Sequence, residues 1–151
     1  MPELPEVETI KRQLKKVLVG QKIVDIKVRR RKSFRGVQTQ VEGRKIVGVK
    51  RRAKILIVEL TGSKYLLIHL KMTGQLVYVD KQRRGVGGHP TSDWVDKLPG
   101  RHTRVVMSLS KGVLYFNDMR VFGWVKVADK EQMEREFEKY GPDVNSRQFS
   151  L

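Results

Sequence analysis

Lys54-Ile55-Leu56-Ile57-Val58-Glu59-Leu60-Thr61-Gly62-Ser63-Lys64-Tyr65-Leu66-Leu67-Ile68-His69-Leu70 is the stretch that decides the fold. Two short runs rich in β-branched and other apolar residues, 54–60 and 65–70, flank the tight-turn signal Thr61-Gly62-Ser63, and they read as two strands. The same pattern continues outward. Upstream lie Ile23, Val24, Ile26 and Val28 at a period near two, then the run 45–49; downstream lie 75–79, 104–109, 113–116 and 122–127, with Ser110-Lys111-Gly112 as a second turn signal. Many short strands without intervening helices argue against a doubly wound parallel sheet. They predict a mainly β fold: an antiparallel β-sandwich or flattened barrel with flanking helices.

The helices stand at the two ends. Val7, Ile10, Leu14, Val17 and Leu18 fall on one helical face, and Gly20 stops that helix. Glu3, Glu6 and Glu8 sit toward its positive end, and Lys11, Arg12, Lys15 and Lys16 toward its negative end. Residues 130–139 alternate charge in a second helical pattern, stopped by Tyr140-Gly141-Pro142. Between the strands, Arg29 to Arg35 form a basic connection. The segment from Asp80 to His102, with Arg83-Arg84-Gly85-Val86-Gly87-Gly88, keeps no period and predicts a long loop.

With 151 residues and 39% apolar content, one domain with its own core is expected. The 32 Lys and Arg outnumber the 16 Asp and Glu, for a net charge of +16. Such an excess favours polyanions, because neutralised phosphates release condensed counterions. The absence of cysteine excludes a disulfide, a thiol nucleophile and any Cys-based zinc site within this chain. His69, His89 and His102 lack the spacing of a helical or finger-type metal pair. No apolar run reaches the roughly 18 residues of a membrane span, and no signal-peptide core is present, so a soluble intracellular protein is expected.

The opening Met1-Pro2-Glu3-Leu4-Pro5-Glu6 carries a chemical possibility by its position. Once Met1 is removed, Pro2 is an N-terminal secondary amine, and an α-amino group with a pKa of about 7.7–8.0 has a useful neutral fraction near pH 7. Taken alone, Pro2 and Pro5 are ordinary helix-start residues, Glu3 and Glu6 ordinary partners of a helix dipole, and Met72 and Phe122 ordinary core residues.

The four segments MPELPEVET, RRAKILIVEL, IHLKMTGQL and YFNDMRVFGW, in this order, resemble the signatures of the formamidopyrimidine-DNA glycosylase family. Leu4 resembles that branch rather than the related endonuclease VIII branch, whose start reads Pro-Glu-Gly-Pro-Glu. The resemblance implies a bifunctional DNA glycosylase and AP lyase of base excision repair. In such an enzyme Pro2 attacks C1′ of an oxidised purine nucleotide, releases the base, and leaves an imine that undergoes β- and then δ-elimination. By the same resemblance Glu3 is the acid/base carboxylate and Glu6 a supporting one. Lys54 and His69 are phosphate contacts, and Met72, Arg120 and Phe122 fill the gap left by an extruded nucleotide.

The implied partner is double-stranded DNA carrying an oxidised purine or an abasic site, and the implied location is the bacterial cytosol. Three departures stand out: Lys71 replaces a usual glycine, Met119 a usual proline, and Val121 a usual second arginine. They bear on affinity and lesion preference. Residues 1–138 are expected to form the catalytic domain, and 139–151 to begin a linker toward a helix–two-turn–helix domain outside the chain. The family's four-cysteine zinc finger has no counterpart here, so no cofactor is expected within this chain, and the chain reads as an excised fragment in preference to an unusually short natural protein. Its activity is expected to require loss of Met1 and to be sensitive to the missing DNA grip. The competing readings are a non-catalytic basic nucleic-acid-binding module on the same fold and, more weakly, a scaffold domain.

Overall fold

Buried positions alternate along residues 103–109 but run together along 55–60 and 66–69, and the two patterns identify two kinds of sheet. The computed structural model describes residues 4–82, 84–88 and 98–139, with backbone only for 84–88. Helix α1 (Leu4–Leu18) is followed by β1 (Ile23–Val28), β2 (Phe34–Arg35), β3 (Ile46–Arg52), β4 (Ile55–Leu60), β5 (Lys64–His69) and β6 (Gly74–Asp80). Then come β7 (Arg84–Gly88), β8 (Thr103–Leu109), β9 (Gly112–Asp118), β10 (Trp124–Asp129) and helix α2 (Lys130–Glu138). Among the described residues the strands form two five-stranded sheets, ordered β1-β8-β9-β6-β7 and β2-β10-β5-β4-β3.

Every pairing is antiparallel except the short parallel bridge of β2 to β10. The sheets face one another across a core that includes Ile26, Val49, Leu56, Leu66, Ile68, Leu76, Val105, Met107 and Phe116. The sandwich expected from the strand pattern is therefore the observed architecture, open rather than closed into a barrel.

In β8, Thr103, Val105, Met107 and Leu109 are buried while Arg104, Val106 and Ser108 are half-exposed, as in a sheet covered on one face. Strands β4 and β5 have no such alternation. Their second face is covered by α2, whose Phe137 packs with Ile55, Ile57, Leu67, Trp124 and Ala128 in a separate apolar cluster. Burial on both faces is why 55–60 and 65–69 are nearly continuous apolar runs.

The caps match the sequence. Asp129 accepts from the Gln132 N–H at 2.8 Å while the Gln132 side chain accepts from the Asp129 N–H at 2.9 Å, a reciprocal cap worth about 1 kcal/mol. Gly20, at φ +96°, ends α1. Val7, Ile10, Leu14 and Leu18 are its buried face.

Two details differ from expectation. The segment 84–88 lies within the predicted loop yet pairs with β6 as an edge strand, because the partner strand supplies the ladder that three glycines could not announce. Phe122 precedes β10 instead of opening it. Pro2, Glu3, His89 and the stop Tyr140-Gly141-Pro142 lie outside the described residues. No helix among the described residues is long and apolar enough to cross a membrane.

Candidate nucleic-acid interface and active site

At one end of the second sheet, Arg52, Ile55, His69 and Trp124 form a single row across β3, β4, β5 and β10. Three turns surround that row. The β3–β4 turn carries Ala53 and Lys54; residues 70–73 leave the second sheet for the first; residues 119–123 return from it. The two crossing turns lie side by side because β6 begins opposite the end of β9, with Gly74 paired to Asp118.

Asp118 ties these crossings together. Its carboxylate is fully buried, one oxygen accepting from the Thr73 hydroxyl and the other from the Gly123 N–H at 2.7 Å. The Thr73 oxygen in turn accepts from the Arg120 N–H at 3.1 Å. Arg104 braces the same loop from behind, donating to the Asp118 carbonyl at 2.8 Å and the Met119 carbonyl at 3.4 Å. Gly123 is required on steric grounds: a Cβ there would stand 2.6 Å from the His69 carbonyl oxygen.

Held this way, Met72, Met119 and Phe122 are each about half exposed, at 46%, 49% and 50%, beside the exposed Arg120. Large apolar side chains left in water on two adjoining turns mark a contact surface rather than core. Each of the three turns also contains a non-glycine residue in the left-handed region: Ala53 at φ +52°, Lys71 at +53° and Val121 at +60°. Such backbone costs on the order of 1–3 kcal/mol per residue and persists only where surrounding bonds over-determine it.

His69 is nearly buried, edge-on to Trp124 at 5.6 Å between ring centroids. Its Nδ1 accepts from the Lys71 N–H at 3.2 Å, which assigns the proton of the neutral ring to Nε2. Burial first, then the positive charges of Lys71 and Lys54, lower its pKa to about 4, so the ring is neutral at pH 7. Those two charges also place both lysines around one imidazole.

The N-terminal turns of α1 are fastened to this same end. Arg51 donates to Glu8 at 2.8 Å and to the Ala53 carbonyl at 3.2 Å, so Glu8, one turn beyond Leu4, is tied to the turn bearing Lys54. Glu8 also pairs with Lys11 at 3.0 Å and Arg12 at 2.9 Å. Burial pushes its carboxyl up, but these three cations outweigh burial and bring the pKa to about 2. Glu6 is exposed in the first turn of α1.

The described sequence-predicted residues Lys54, His69, Met72, Arg120 and Phe122 therefore all stand on the turns or strand ends of one end of the sandwich. Sequence reasoning missed Asp118, Thr73, Arg104 and the Glu8–Arg51 tie. Asp118 and Thr73 lie within the family-like motifs, but only the pairing of β6 with β9 makes them neighbours. Among the described residues no group of three or more His, Asp or Glu could hold a metal. The chain, having no cysteine, offers no ligands for a four-cysteine zinc finger.

Residues 1–125 match the formamidopyrimidine-DNA glycosylase N-terminal domain. Curated relatives of that name include the Solibacter usitatus protein, 33% identical over all of this chain and 56% of its own length. The Pelotomaculum thermopropionicum protein is 39% identical over 85% of this chain and 45% of its own length. Among solved structures, the complex of Lactococcus lactis Fpg with DNA containing an abasic site superposes with a TM-score of 0.76 at 30% identity, covering 91% of this chain and 48% of that one. The Lactococcus lactis complex with Fapy-dG containing DNA gives 0.75 at 30%, with the same coverage. The chain thus spans about half the length of the relatives it matches. Fold, motif order and these likenesses together establish that the chain belongs to the formamidopyrimidine-DNA glycosylase family and carries its N-terminal domain.

Proposed function

We propose that this chain is the catalytic half of a DNA-repair glycosylase with AP lyase activity, acting on duplex DNA that carries an oxidised purine or an abasic site. One observation carries the reading most directly. Asp118 and Thr73 hold two turns together and leave Met72, Phe122 and Arg120 exposed at the end of the sandwich that also carries Lys54 and the fastened first turns of α1. Apolar wedges and a guanidinium next to phosphate-type cations suit a duplex from which one nucleotide has been extruded.

In the proposed reaction the neutral Pro2 amine, freed by removal of Met1, attacks C1′ of the extruded nucleotide. The C1′–base bond breaks and the base departs with a proton. Glu3, supported by Glu6, transfers the protons needed for sugar opening and for loss of the amine proton as the iminium forms. Deprotonation at C2′ expels the 3′ phosphate, and a second elimination expels the 5′ phosphate. Lys54 and the Nε2–H of His69 hold the backbone beside the lesion, Met72 and Phe122 fill the vacated stack, and Arg120 bonds the orphaned base. The substrate likeness comes from relatives solved with DNA containing an abasic site or Fapy-dG.

The test is strand incision and borohydride trapping on duplexes with an oxidised purine or an abasic site. Met-free protein should incise and form a covalent adduct, and Pro2→Gly, which exchanges the ring-held secondary amine for a freely rotating primary one, should greatly reduce both. Salt-dependent binding that is equal for damaged and intact duplex, with no adduct, would instead identify a non-catalytic binding module.

A further inference from the structure

Five cations fall within seven residues at Arg29, Arg30, Arg31, Lys32 and Arg35, and all five are exposed. Among the described residues none of them has an acidic partner within ion-pair distance. That is unlike the cations of α1 and α2, where Lys11, Arg12 and Arg135 are paired with glutamates.

The segment is also built rather than loose. The Ser33 N–H closes a 3-10 turn onto the Arg30 carbonyl at 3.0 Å, and both Ser33 and Phe34 are buried. Phe34 joins the second sheet beside Val125. Gly36, at φ +115°, lets the chain pass Val127, where a Cβ would stand 2.8 Å from the valine Cβ.

The segment reaches the candidate site from two directions. The Arg29 and Arg30 N–H groups both donate to the Arg104 carbonyl, at 2.7 and 3.2 Å, and Arg104 is the residue that braces the loop bearing Arg120 and Phe122. Arg35 stacks over Trp124 at 5.0 Å, and Trp124 is the neighbour of His69. Like charges are crowded here: burial, then Arg30 and Arg29, depress the pKa of Arg104, with only Asp118 opposing them. A fixed, unneutralised row of cations is an electrostatic cost to the free protein that a row of phosphates removes.

We infer that Arg29, Arg30, Arg31 and Lys32 form a second contact surface, one that grips the phosphate backbone of duplex DNA flanking the lesion. The inference rests on the DNA-repair reading and names where that duplex continues. From Arg29 to Lys32 the chain reaches at most about 11 Å, roughly three steps of about 3.4 Å along the helix axis and so about four phosphates of one strand. The contact is to backbone and carries no sequence or lesion information.

The experiment is equilibrium binding of the full 151-residue chain to abasic-analogue and intact duplexes between about 50 and 200 mM salt. Wild type is compared with Arg29→Gln/Arg30→Gln/Arg31→Gln/Lys32→Gln, with Arg31→Gln alone as a milder variant and circular dichroism as the check on folding. The plot of log K against log salt should become shallower by up to about 3.6 for the quadruple variant, at about 0.9 for each phosphate left unneutralised, and by about 0.9 for the single variant. Affinity should fall by the same factor for both duplexes, leaving the damaged-to-intact ratio unchanged. An unchanged slope in folded variants overturns the surface. Borohydride trapping separates the two claims: a shallower slope without any wild-type adduct keeps the surface and removes the catalytic reading, whereas an adduct with an unchanged slope does the reverse.

Discussion

Replacing Asp118 by alanine removes the carboxylate that joins the two crossing turns. The Gly123 N–H and the Thr73 hydroxyl then lose their acceptor in a fully buried position. Hydrogen bonds to a charged acceptor contribute about 1.5–3 kcal/mol each, and the unsatisfied donors add desolvation, so the loss should be about 3–5 kcal/mol. With a urea slope near about 2 kcal/mol per M, the unfolding midpoint should fall by roughly 1.5–2.5 M. Asp118→Asn keeps one acceptor and the shape, so its loss should be smaller than that of alanine. Thr73→Val strips the hydroxyl from the same network. The double-mutant cycle should therefore show at least about 1 kcal/mol of coupling, because either single change already breaks the shared bond. An alanine variant that loses under about 1 kcal/mol, or that adds independently to Thr73→Val, would refute the clamp.

Met72→Ala and Phe122→Ala should each change stability by no more than about 0.5 kcal/mol, since both side chains are half exposed, yet weaken retention of abasic duplex in gel-shift titrations. Glu8 has its folded pKa depressed to about 2, so its contribution is present above the ordinary carboxylate range near 4.5 and is lost as pH falls toward 2. Urea midpoints should show Glu8→Gln destabilised by about 1–2 kcal/mol at pH 7 after solvent screening, the deficit closing by pH 2. For His69 the unfolded chain binds more protons between pH 6.5 and about 4, so stability falls as pH drops through that window, and His69→Gln should flatten the dependence. NMR should find the His69 imidazole still neutral at pH 6.

The parts of the fold legible in the sequence are those where one physical cause acts locally. The Val7, Ile10, Leu14 and Leu18 stripe needed only a helix lying on a sheet, and the unbroken runs of β4 and β5 needed only cover on both faces. Strand β7 was illegible because its glycines have no strand preference and its order comes from the neighbouring β6. Phe122 read as strand because a large apolar residue before Trp124 looks like core, whereas Asp118 and Gly123 hold it out in a turn. The candidate site divides in the same way. Its wedge and cation residues were visible as members of motifs, while Asp118, Thr73, Arg104 and the Glu8–Arg51 tie depend on partners 14 to 45 residues apart in the chain.

The Pro2 nitrogen as nucleophile is the central claim, and the measurement that tests it most directly is a peptide map of the borohydride-trapped complex by mass spectrometry. With the N-terminus verified as free proline, the reduced sugar adduct should reside on the Pro2 amine. An adduct on Lys54 or another lysine, or no adduct on either abasic or oxidised-purine duplex, would contradict it.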